Sequence, residues 1–167
     1  MKKTFLTLTF AAAAFFAFAL TASAEAPKTA PSKQVEAVSV FDGATPETLV
    51  LKKQKVDTDL RTTLTLLNGA YSRIQIAISR LSDKKIDTGT AQSELTLAGS
   101  ELIEAKATVD AFSKITLSEE KLQAPNTAAS LKLEAKKAED ALAAVRGHLI
   151  ASLSILKTAL TAPTETQ

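Results

Sequence analysis

The chain has 167 residues, 20 of them basic and 18 acidic, for a formal net charge of +2 at pH 7. It contains no cysteine, which excludes disulfides, thiolate catalysis, thiolate metal sites and a lipobox for N-terminal lipidation. Five of the seven phenylalanines precede residue 25, so little aromatic surface remains beyond that point for stacking bases or sugars.

The first 24 residues read as a secretory signal peptide. Lys2 and Lys3 form a basic start, Phe5 to Leu20 is an uncharged apolar run, and Ala22-Ser23-Ala24 is a small-residue cleavage site. The run is shorter than the roughly 20 residues a membrane-spanning helix needs. Cleavage after Ala24 predicts an exported product, periplasmic or extracellular, with 18 basic and 18 acidic residues and no net charge. The basic pI therefore belongs to the export signal, and no nucleic-acid partner is expected.

Residues 25–44 carry Pro27 and Pro31 among small polar residues and read as a flexible leader. Within it, Val35, Val38, Val40 and Phe41 suit either a short extended segment or a hydrophobic tack onto the rest of the fold. Residues 45–161 then read as an all-α, antiparallel three-helix coiled-coil bundle, with helices over about 46–82, 90–113 and 127–161. Residues 162–167 read as a disordered tail.

The first helix has Thr45 as cap, Pro46 at the position where a missing N–H costs nothing, and Glu47 in the first turn. Leu60, Leu64, Leu67, Tyr71, Ile74, Ile78 and Leu81 step by fours and threes. Beside them Leu49, Val56, Thr63, Ala70 and Ala77 recur at sevens. Two adjacent stripes suit a helix that touches two neighbours. A polar turn, Asp83 to Gly89, leads into a second helix with Ala91, Leu95, Ala98, Leu102, Ala105, Val109 and Phe112 as core positions. Its alternating alanines predict a close approach to the first helix. If the chain folds back near position 87, Arg80 opposes Glu94 and Arg73 opposes Glu101, both pairs summing to 174, as inter-helix charge pairs. The charge balance agrees: eight basic and four acidic residues from Pro46 to Lys85, against one basic and five acidic from Asp87 to Ser113.

Ser113 to Asn126 is a connection with a helical turn expected after Ser118, where Glu119 and Glu120 read as surface charge. The third helix, capped by Asn126 or Thr127, keeps Leu131, Ala135, Ala138, Leu142, Val145, Leu149, Ser152 and Leu156 in step with the second helix, at sums of 243 or 244. Pro163 lies beyond its end.

No set of residues that catalysis requires is present. His148, the only histidine, sits in a column with Ala141 and Ile155 at the edge of a helix and reads as a satisfied boundary residue. The glycines at 43, 69, 89, 99 and 147 are too dispersed to cradle a phosphate. Asp57 and Asp59 follow Lys53 and Lys55 at i to i+4 and read as a solvated face. Neither an enzyme nor a cofactor or metal site is expected.

The segment from Tyr71 to Phe112, with Arg73-Ile-Gln-Ile-Ala-Ile-Ser-Arg-Leu81, then Ile86-Asp87-Thr88, then the Ala/Leu heptads, resembles a family of uncharacterised small exported Ala-rich helical-hairpin proteins of small-genome bacterial lineages. The resemblance covers most of Leu60 to Leu160 and departs at Lys85, where that family usually has glycine. It implies a helical fold and export, and no activity.

These readings lead to an exported, non-enzymatic interaction or scaffold protein of the cell envelope that binds a protein partner through helix faces. A holdase-like periplasmic chaperone is the alternative, with apolar surface at Leu49, Val50, Val56, Leu156 and Leu160. A further alternative is a peripheral binder of anionic membranes through Lys52, Lys53 and Lys55.

Overall fold

The computed structural model describes residues 40–161. The expected signal peptide, Val35, Val38 and the tail beyond Thr161 lie outside these residues. All regular structure among the described residues is helical: α1 (Pro46–Ser82), α2 (Gly89–Ser113), a short α3 (Glu119–Gln123) and α4 (Thr127–Thr161).

The core begins before α1. Gly43 takes a φ of 63°, a left-handed conformation that glycine adopts without steric cost, and the Ala44 N–H closes a turn onto the Phe41 carbonyl at 3.2 Å. The turn buries Phe41 almost completely, at 1% exposure, and sets Asp42 against Lys132 of α4 at 2.9 Å. Phe41 is thus part of the core, as in the second of the two expectations for this segment, a hydrophobic tack onto the rest of the fold. Pro46 opens α1, with Thr45 in extended conformation before it. The Thr45 hydroxyl lies 3.3 Å from that of Thr48 and makes no cap bond to the backbone; its carbonyl instead accepts from the N–H groups of Thr48 and Leu49.

α1 ends in a pair of bonds that closes a left-handed turn. The Ile86 N–H donates to the Leu81 carbonyl at 3.1 Å and the Lys85 N–H to the Ser82 carbonyl at 2.8 Å. This is the pattern of a Schellman cap, which requires a left-handed residue at the position of Lys85, and Lys85 has φ of 60°. Ile86, on the far side of the turn, packs against the core. Asp87 then accepts the Gly89 N–H at 2.9 Å, whereas Thr88 caps nothing with its side chain and is itself buried.

The most extensive helix contact is between α2 and α4, and α1 packs less extensively against both. Small side chains explain it. Ala91, Ala98 and Ala105 of α2 and Ala135 and Ala138 of α4 are fully buried beside Leu95, Val109, Val145 and Leu131. Alanine layers allow close backbones, and close backbones exclude water from both. The tight seam expected between the first two helices therefore lies between the second and third long helices. α1 contributes Leu49, Val56 and Leu60 near its start and Ile74, Ile78 and Leu81 near its end. Between these groups Leu64, Leu67, Ala70 and Tyr71 are only partly buried, as is Leu102 of α2. Ser118 caps α3 by accepting from the Lys121 N–H, and Ile115, Leu117 and Leu122 fold this connection onto the core.

Directions follow from individual contacts. Lys53 near the start of α1 bonds the carbonyl of Ser113 at the end of α2, and Ala91 at the start of α2 accepts from Ser152 near the end of α4. The α2–α4 contact, with residue numbers summing to 243, falls in the expected layers. The α1–α2 contacts do not. Tyr71 lies over Gly99 and Ser113 bonds Asp57, both pairs summing to 170 rather than 174 to 176. The physical reason is the turn: α1 stops at Ser82 and α2 starts at Gly89, so the fold-back centres between residues 85 and 86 rather than near 87.

Candidate interaction surfaces

The polar groups that sequence singles out are mostly engaged between helices. His148 projects from α4 toward α2 because it follows Ala141 by seven residues on the flank of the buried stripe. Its Nδ1 lies 2.8 Å from Glu94 Oε2, with the two side chains about a third exposed. Glu94, expected opposite Arg80, is thus held by His148. No ion pair joins Arg73 to Glu101, which the shifted register separates. One layer further along α4, Ser152 is fully buried and donates to the Ala91 carbonyl at 2.8 Å, the one buried side-chain hydroxyl bond across the α2–α4 seam among the described residues.

The expected basic cluster is dispersed. Lys53 Nζ donates to the Ser113 carbonyl at 2.8 Å and stands 5.4 Å from the centre of the Phe112 ring, covering the end of α2. Its position removes it from any outward-facing patch. Asp57, instead of pairing with Lys53, accepts from Arg61 at 3.3 Å and from the Ser113 hydroxyl. Lys55 pairs with Asp59 at 3.2 Å. Lys52 is left as a half-buried residue on the opposite flank of α1. The expected apolar surface is corrected too. Leu156 is 1% exposed and Leu49 and Val56 are buried, all three within the hydrophobic core; Leu160 and Val50 remain exposed.

Three charged groups are shifted by local contacts. The Glu47 carboxyl is held below its ordinary value first by its own backbone N–H and then by the Thr45 hydroxyl. A hydrogen bond from Lys106 lowers that of Asp110, and one to Asp140 raises that of Lys136. All three are helix-surface contacts.

Two shallow grooves open on the surface, one lined by Asp87, Thr90, Ser154 and Thr158, the other by Pro46, Val50, Glu47, Glu119 and Glu120. Among the described residues no group of three or more His, Asp or Glu is placed to hold a metal ion. No described helix is long and apolar enough to cross a membrane. The apolar surface lies elsewhere than expected: Ile103 of α2 is 74% exposed and Leu66 of α1 69%, with Leu51, Ile76, Leu133 and Ile150 also at least half exposed. Sequence reasoning placed none of these at a surface site, although their positions off the buried stripes are the signal that would have found them.

Comparison with known protein families, curated proteins and solved structures gives no match.

Proposed function

We propose that the chain is an exported, non-enzymatic helical scaffold of the cell envelope that presents helix faces to a partner, and that residues 40–161 form an antiparallel three-helix coiled-coil bundle. The observation that carries this reading is the division of labour among side chains. His148, Glu94, Ser152, Lys53 and Ser113 are joined to one another or to backbone across helix contacts, while large apolar residues such as Leu66 of α1 and Ile103 of α2 face solvent. Internal polar bonds fix helix alignment, and exposed apolar side chains on rigid helices are the material of helix-face recognition. The export and envelope parts of the proposal rest on the sequence of residues 1–24.

Crosslinking in the native envelope, with a photoreactive residue at Leu66 or Ile103 and at the buried-flank control Ala141, tests it. Adducts specific to the two surface positions are expected. A chain that is abundant in the cytoplasm, or that yields no adduct in the envelope at either surface position, refutes it.

A further inference from the structure

The face between α1 and α4, over the C-terminal halves of both helices, combines exposed basic and apolar residues. The inference rests on the antiparallel bundle proposed above, and its helix flanks are identified by contacts. On α1, Lys53, Asp57 and Tyr71 touch α2, so the flank toward α4 lies on the other side of the buried stripe, where Leu66, Arg73 and Arg80 recur at sevens. On α4, His148 touches α2. The opposite flank is the column Lys132, Glu139, Arg146 and Leu153, and Lys132 bonds Asp42 in the segment that leads into α1.

The levels also match. Tyr71 lies over Gly99, and Ala91 meets Ser152; carrying the α2–α4 spacing along sets Gly99 level with Ala144. Arg73 and Arg146, each two positions further on, therefore share a level in the two parallel helices. Both are exposed, and no ion pair engages either among the described residues. Around them stand Leu66, Ile76 and Ile150, each at least half exposed, and Leu153 at 38%. The acid of this face is Glu139, level with Leu66 and one heptad before Arg146; beyond it Leu60 to Ser82 and Ala141 to Thr161 contain no Asp or Glu, and Lys157 adds a further basic charge.

We propose that this face docks on the surface of an anionic lipid bilayer. Guanidinium groups pair with lipid phosphates in bidentate geometry, and apolar side chains beside them enter the boundary between headgroups and acyl chains. An acidic protein would satisfy the arginines but gives no use to four exposed aliphatic side chains interleaved with them. The site differs from Lys52, Lys53 and Lys55, two of which are engaged elsewhere in the fold.

The test is co-sedimentation of the full chain with vesicles of phosphatidylglycerol and phosphatidylcholine mixed, against phosphatidylcholine alone. Lys2, Lys3 and the apolar run Phe5–Leu20 contribute equally in every variant, so the readout is the change in the ratio of anionic to neutral binding from the parent chain. A ratio well above one that falls with salt is expected, and Arg73→Gln with Arg146→Gln together lowers it about 25-fold, at about fivefold for each arginine near the surface. Leu66→Ser with Ile150→Ser reduces binding to anionic vesicles while leaving its salt dependence intact. Lys114→Gln, on an exposed position of the α2 end, leaves the ratio unchanged. All five positions are solvent-facing, and an unchanged helical circular dichroism spectrum confirms folding. A ratio near one, or a ratio indifferent to Arg73→Gln and Arg146→Gln, overturns the proposal, as does binding to polyglutamate with none to anionic vesicles. Envelope crosslinking to a protein with no lipid preference would overturn this inference and leave the scaffold reading standing.

Discussion

Replacing Lys85 with glycine should stabilise the fold. The Lys85 backbone has φ of 60° and its side chain is exposed, so the substitution removes a strained Cβ without removing a buried contact. A side chain in the left-handed region costs about 1–2 kcal/mol. Glycine returns about 0.4–1 kcal/mol of this through the greater freedom of its unfolded chain. The net gain is about 0.5–1 kcal/mol, worth a few degrees in Tm for a domain of this size. Asp83→Gly is the internal control: its φ of −58° and ψ of −28° are ordinary helical values, so glycine there carries only the entropic cost and destabilises by about 0.5–1 kcal/mol. Lys85→Ala separates geometry from charge, because it keeps the Cβ and should change little. Urea unfolding followed by helical circular dichroism measures all three. If Lys85→Gly weakens the protein as much as Asp83→Gly does, the left-handed closure of α1 is wrong.

Gly99→Ala tests the α1–α2 alignment, since an added Cβ would lie 3.2 Å from the Tyr71 hydroxyl and 3.3 Å from its ring. The roughly 1 kcal/mol gain in helix propensity should appear in full only in a Tyr71→Ala background, and an equal gain in both backgrounds would refute the contact. Ser152→Ala should cost about 0.5 kcal/mol by urea unfolding, the loss of a hydrogen bond of about 1 kcal/mol offset by alanine's better helix propensity. Ser152→Val should cost about 1–3 kcal/mol through overpacking against the α2 backbone, and a stabilising valine would mean that layer is loose. A double-mutant cycle of His148→Ala and Glu94→Ala should yield a coupling of about 0.5 kcal/mol, discounted because the pair is about a third exposed; zero coupling would make the contact incidental. Carbon-detected NMR should find the Asp110 carboxyl titrating below an ordinary aspartate and returning toward it in Lys106→Met. A lowered folded-state value means the Lys106 contact contributes above the unfolded pKa and is lost as pH falls through the folded one.

The helical class was legible because two properties agree along the chain: hydrophobic residues at steps of three and four, and punctuation by Pro46, the Asp83–Gly89 turn and the Ser113–Asn126 connection. Leu95, Ala98, Ala105, Val109, Leu131, Ala135, Ala138, Val145 and Leu149 all lie on those steps, and all are buried. What the spacing does not contain is the centre of each fold-back. A heptad pattern looks alike after a slide of a few residues, so the alignment of α1 with α2 depends on the turn between them. That turn is set by backbone bonds at Lys85 and Ile86 and by Asp87, and their strength is not expressed in hydrophobic periodicity.

The consequence of that slide reaches the candidate surface. With residue numbers summing to about 174, Arg73 would face Glu101 of α2. With the sum at 170, Glu94 belongs to His148 and Arg73 is left facing solvent on the side of α4. Composition reports only that α1 is basic and α2 acidic, and complementary charge on neighbouring helices invites the inference that it pairs. Exposed pairs contribute too little, at about 0–1 kcal/mol each, to select an alignment against the packing of a fully buried layer. Packing of the Ala-rich α2–α4 seam therefore dominates, α1 adjusts to the turn that tethers it, and Arg73 becomes available to whatever meets the molecule from outside.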